Sequence, residues 1–166
     1  VITGLGLLCA LGDHPEIVFQ RMLRSECGIG PVTRFSTDTL QCSIAGEIDA
    51  KQREKVLSDE TTQSMDDCAR YAVYAAKQAL ADGGIDVQKI PAQRIGLALG
   101  TCNGGILSLE KQWNLNNLDT EQTSRYPFYQ QGDDTALALG LKGPVITINT
   151  ACAASGNAIG YAADLI

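Results

Sequence analysis

An α/β domain with a largely parallel sheet is what the sequence predicts, and three observations predict it. Residues 94–100 and 143–150 are apolar or β-branched runs with the length of buried strands. Before and between them lie helix-length stretches whose apolar residues recur every three or four positions. At 166 residues, with 45% hydrophobic and 19% charged residues, the chain can bury one core and is too apolar to be disordered. Strands alternating with helices around one core imply a layered α/β arrangement.

Each element follows in order. Residues 1–8 are short, apolar and glycine-bearing, which predicts a buried strand. Gly12-Asp13-His14-Pro15-Glu16 reads as a helix start, with Asp13 as cap and Glu16 three positions on. That helix is expected to pass Phe19, Met22 and Leu23 and stop near Gly28, and residues 41–48 suggest a second short strand. The strongest helix signal spans residues 58–80, where Met65, Cys68, Ala69, Ala72, Val73, Ala76, Ala79 and Leu80 form one apolar stripe. Asp59 and Glu60 suit its positive end and Gly83-Gly84 its stop. So many alanines imply a close neighbour. The strand at 94–100 ends in the turn Cys102-Asn103-Gly104-Gly105, followed by an expected helix over 106–118. Residues 125–131 look irregular and 133–141 helical, before the strand at 143–150 runs into a helix of small residues at 151–160.

Charge and cysteine usage narrow the function. Thirteen Lys and Arg against nineteen Asp and Glu give a net charge of −6, which disfavours nucleic acid and anionic membrane as partners. No apolar run approaches the ~20 residues of a membrane span. The chain opens Val1-Ile2-Thr3 with no initiator Met or signal region and ends in an apparent helix. A soluble, cytoplasmic domain of a longer polypeptide is expected. The six cysteines, at 9, 27, 42, 68, 102 and 152, include no Cys-x-x-Cys pair. Neither a disulfide framework nor a metal site is predicted. Gly4-Leu5-Gly6 lacks the third glycine of a dinucleotide loop, and no cofactor is expected.

One cysteine stands apart. Cys152 falls where the strand at 143–150 meets the following helix, a junction that projects a side chain from a sheet edge. A helix N-terminus there can stabilise a thiolate and a developing oxyanion. Ala151, Ala153, Ala154 and Gly156 leave room for a substrate. The alternative is a buried cysteine filling a tight helix–sheet contact. The lone histidine, His14, reads as an exposed residue of a helix cap, although a Cys152–His14–Asp13 triad is formally possible.

Thr150-Ala151-Cys152-Ala153-Ala154-Ser155-Gly156-Asn157-Ala158-Ile159-Gly160 resembles the nucleophile motif of the β-ketoacyl-(acyl-carrier-protein) synthases. Five further blocks resemble the family in family order: Val1-Ile2-Thr3-Gly4-Leu5-Gly6, Gly28-Ile29-Gly30, Ala81-Asp82-Gly83-Gly84-Ile85, Gly96-Leu97-Ala98-Leu99-Gly100-Thr101 with Gly104-Gly105, and Leu139-Gly140-Leu141-Lys142-Gly143-Pro144. The resemblance implies a thiolase-like α/β/α fold of two similar halves, with residues 1–166 in the first. It implies that Cys152 accepts an acyl group from a thioester and that a malonyl-type carbanion attacks it. Asn103, Gly104, Gly105 and Phe128 would then bind substrate. The catalytic histidines, the supporting lysine and the second oxyanion donor would come from the other half. The implied partners are acyl carrier protein and a second copy of the chain, which the aromatic segment Arg125-Tyr126-Pro127-Phe128-Tyr129-Gln130-Gln131 would contact.

Two departures bear on substrates. Many members carry basic residues before the long helix, whereas Ser58-Asp59-Glu60-Thr61-Thr62-Gln63-Ser64 has none, leaving Lys51, Arg53 and Lys55 upstream. Asn103 stands where many members have an apolar or glycine residue. It either faces the acyl chain or only caps its turn. A coenzyme A-dependent acyltransferase and a non-catalytic partner subunit are the alternatives to a carrier-protein synthase.

Overall fold

A computed structural model describes residues 1–114 and 120–166. Its centre is a sandwich around two parallel strands, β3 (Leu97–Gly100) and β4 (Val145–Ile148), with Leu97 opposite Val145 and Gly100 opposite Ile148. Helix α6 (Phe128–Ala138) covers one face and α7 (Ala154–Asp164) the other. Behind α6 lies the long helix α3 (Asp67–Asp82). Met65, Ala69 and Val73 are buried there with Ala138 and Leu139 against them. This is the expected α/β/α layering with a parallel ladder. A separate antiparallel ladder joins β1 (Gly30–Pro31) to β2 (Ile44–Ala45).

The remaining helices are α1 (Pro15–Leu23), α2 (Ala50–Leu57), α4 (Ile106–Asn114) and α5 (Thr120–Thr123). The last four positions of the helix expected over 106–118 lie outside the described residues. No helix among the described residues is long and apolar enough to cross a membrane. All six cysteines are free thiols.

Several local expectations are corrected. Residues 1–8 form no strand and none of them is buried. They run extended along α3, and their backbone N–H groups find side-chain acceptors: Leu5 donates to Asp82 Oδ2 (2.8 Å) and Leu7 to Gln78 Oε1 (3.1 Å). An extended segment becomes a strand only beside another strand, and its described neighbour is a helix. The approach is close because two residues lack Cβ. A Cβ on Gly4 would stand 2.1 Å from the Ala79 carbonyl oxygen, and one on Gly6 1.9 Å from that of Ala75. This segment lies on the flank of α3 that carries Ala75, Gln78 and Asp82, while the stripe itself packs toward α6.

Asp13 does not cap α1. The N-cap is His14, without a side-chain bond, while Asp13 Oδ2 accepts from Tyr74 Oη (2.8 Å) and Oδ1 from Gln52 Nε2 (3.3 Å). These bonds tie the start of α1 to α2 and α3 and engage both oxygens of the Asp13 carboxylate. The helix signal over 58–80 divides at two aspartates. Asp59 caps a 3-10 turn, Glu60–Thr62, by accepting from Thr61 N, and Asp66 caps α3 by accepting from Cys68 N. Bonds from Thr61 and Lys77 hold the Asp59 carboxyl down at about 2. Helix α2 gave no sequence signal because only Val56 of it is buried. Phe128 to Gln131, expected to be irregular, form the first turn of α6.

Candidate active site

The turn that carries Cys152 is built by its neighbours. After β4, Asn149 and Thr150 lead into the 3-10 turn Ala151–Ala153, and α7 follows at once. Ala151 has φ 49°, a left-handed conformation that a non-glycine residue adopts at a cost of about 1–3 kcal/mol. Asn157, one turn into α7, donates from Nδ2 to Thr150 Oγ1 (2.7 Å) and so braces the turn from the helix side. On the sheet side, a Cβ on Gly100 would stand 2.4 Å from the Ala154 carbonyl oxygen, so β3 admits the start of α7 only because position 100 is glycine. Cys152 is exposed at this junction rather than packed into it. No side chain caps α7, so its positive end is left for an anion beside Cys152.

A hollow of about 280 Å³ lies nearby, lined by Cys102, Asn103, Ile106, Tyr126, Pro127, Phe128 and Asn149. It brings together two of the expected substrate residues, Asn103 and Phe128. Asn149 closes it three residues before Cys152. The Asn103 backbone carbonyl accepts from Ile106 N (3.0 Å) at the entry to α4. Its side chain makes no hydrogen bond with the described residues and borders the hollow.

Gly104 and Gly105 do not line the hollow. They are buried behind it, where Gly105 has φ 84° and its Cβ would stand 2.3 Å from the Tyr126 carbonyl oxygen. Gly105 lets the segment at 125–127 close down, and Gly104 makes room for the Gln131 side chain and Thr101 Oγ1. Gln131, fully buried, fixes that segment by donating from Nε2 to the carbonyls of Arg125 (2.8 Å) and Pro127 (3.4 Å). Cys102, Ile106, Tyr126, Pro127 and Asn149 joined the site only in three dimensions, although each neighbours a residue the sequence singled out. Cys68, behind the same turn, is half-buried, and burial pushes its thiol up despite a contact with Thr101 Oγ1.

Two of the three basic residues upstream of the long helix are engaged. Lys55 Nζ donates to Tyr74 Oη (3.0 Å) and lies 3.6 Å from Asp13, while Arg53 pairs with Asp67 at 3.6 Å.

The family model for the N-terminal domain of β-ketoacyl synthases matches residues 1–166. The chain belongs to the β-ketoacyl synthase family. A 3-oxoacyl-(acyl-carrier-protein) synthase 2 from Synechocystis sp. is 34% identical over all of the chain and 41% of its own length. The enzyme of the same name from Coxiella burnetii is 32% identical over all of the chain and 42% of its own. A solved structure, the ishigamide ketosynthase/chain length factor, superposes with a TM-score of 0.84 at 24% identity, covering 99% of this chain and 43% of that one. The fold is that of the first part of this thiolase-like family. The chain spans about two-fifths of the length of these curated relatives.

Proposed function

We propose that the chain is the nucleophile-bearing part of a cytoplasmic β-ketoacyl synthase that joins an acyl thioester to a malonyl-type thioester. The observation that supports this most directly is the setting of Cys152: exposed, in a left-handed turn between β4 and the uncapped start of α7.

The chemistry follows from that setting. The Cys152 thiolate attacks the acyl carbonyl, and the tetrahedral oxyanion collapses to expel the carrier thiolate. The positive end of α7 and the Cys152 backbone N–H favour the negative charge at both stages. The acyl chain lodges in the hollow between Asn103 and Phe128. Loss of carbon dioxide from the malonyl thioester then yields an enolate whose carbon attacks the acyl-Cys152 carbonyl. The new carbon–carbon bond forms as the Cys152 thiolate leaves, so the enzyme is restored without a cofactor. The family resemblance implies that histidines of the other half promote decarboxylation, and the lone histidine of residues 1–166, His14, sits at the cap of α1.

Acyl carrier protein as the thioester donor is supported by the names of the curated relatives, and a homodimer by the family's expected aromatic contact at 125–131. With Lys55 and Arg53 already paired, Lys51 is the upstream cation left to meet an acidic carrier. The test is acyl loading of the full-length protein followed by intact mass. Cys152→Ala is expected to abolish loading while leaving the fold intact. Unchanged loading would exclude Cys152 as the acyl acceptor.

A further inference from the structure

The hollow that reaches Asn149, three residues before Cys152, is lined by both apolar and amide-bearing residues. Ile106, Tyr126, Pro127 and Phe128 are the lining residues that suit methylenes. Asn103 borders the hollow from the turn after β3, and Asn149 from the end of β4, three positions before the nucleophile. The two residues come from different elements and neither side chain bonds to a described residue. Both amides therefore have their donor and acceptor groups available to an occupant.

We propose that this hollow selects an acyl chain bearing an oxygen substituent, a hydroxyl or a keto group, over a saturated chain of the same length. The inference rests on the reading of Cys152 as the acyl acceptor. An amide that meets only methylenes loses its water and gains no partner. The same amide can donate to a keto oxygen, or donate to and accept from a hydroxyl. Sites that hydrogen-bond a substrate oxygen reject the analogue lacking it, commonly by about tenfold or far more. Asn103 is thus assigned as a specificity residue of the loading step, with Asn149 as its neighbour nearer the thioester.

The experiment follows loading of the full-length protein by intact mass, using octanoyl pantetheine. Three further octanoyl pantetheines carry one hydroxyl near the thioester, at mid-chain or near the tip. At least one hydroxylated ester is expected to acylate Cys152 about tenfold faster than plain octanoyl. Asn103→Leu, which replaces the amide by an apolar group of similar size, is expected to cancel or reverse that ratio, and Asn103→Ser to keep part of it. Because the preference is read in the unaltered protein, a variant that misfolds leaves the conclusion standing on the first comparison. Plain octanoyl loading as fast as the best hydroxylated ester would overturn the selectivity and leave the nucleophile intact. Loading of Cys152 by none of the four would overturn the acyl-acceptor reading itself.

Discussion

At Ala151 the backbone takes a conformation that few side chains tolerate. Among the described residues only Ser25 shares a positive φ without being glycine. The turn is needed because β4 must end and α7 begin within a few residues while Cys152 stays exposed. Unbranched side chains take this conformation at modest cost, and branching at Cβ makes it worse. Ala151→Val is expected to destabilise the protein by about 1–2 kcal/mol, read as a lower denaturant midpoint. Ala151→Gly removes the strain but loosens the unfolded chain, so its stability should change by less than about 1 kcal/mol. Equal behaviour of the two variants would show that the turn stores no strain. Cys152 itself was legible in the sequence, because a β-branched strand running into small residues marks the junction. The bracing by Asn157 was not, since a bond from one turn inside a helix back to Thr150 has no signature in spacing.

Among the elements, α3 shows where sequence reading works. Its apolar stripe faces α6 as the three-and-four spacing requires, and its glycine stop holds, with Gly84 at φ 62°. Its start was displaced because Asp59 and Asp66 are equally good caps by residue type, and only Asp66 begins the long helix. Residues 1–8 failed differently. An apolar run with glycines suits a buried strand, yet these glycines serve close approach to the α3 backbone. The consequence can be measured. Gly6→Ala would put a Cβ where the Ala75 carbonyl oxygen already lies, at 1.9 Å. The segment would have to lift from α3, and overpacking of this kind costs typically about 1–3 kcal/mol. Asp82→Ala removes one exposed bond to Leu5 N and should cost no more than about 1 kcal/mol. Chemical denaturation of the full-length protein ranks the two. A smaller loss for Gly6→Ala than for Asp82→Ala would mean that the segment does not press on α3.

For the whole molecule, the proposed dimer contact falls on the aromatic pair at the start of α6. Phe128 and Tyr129 stack edge to face with ring centres 6.2 Å apart. They serve different surfaces. Phe128 lines the hollow, whereas the Tyr129 side chain is 56% exposed and shares its helix face with Leu137, 77% exposed, eight positions on. The alternative that both rings merely anchor a loop on their own subunit fits poorly, since the segment is helical and the Tyr129 ring is mostly in water. Gln131, fully buried on the same turn, keeps that ring facing outward by fixing the helix start. Aromatic side chains that become buried at an interface centre often contribute about 2 kcal/mol or more, roughly a thirtyfold change in dimer dissociation. In the full-length protein, Tyr129→Ala is therefore expected to shift sedimentation toward monomer while acyl loading of Cys152 per chain persists. Phe128→Ala should slow loading more than it weakens the dimer, because Phe128 lines the hollow. The double variant should show both effects. A double variant that stays dimeric at nanomolar concentration and loads at the unaltered rate would exclude this turn from both surfaces.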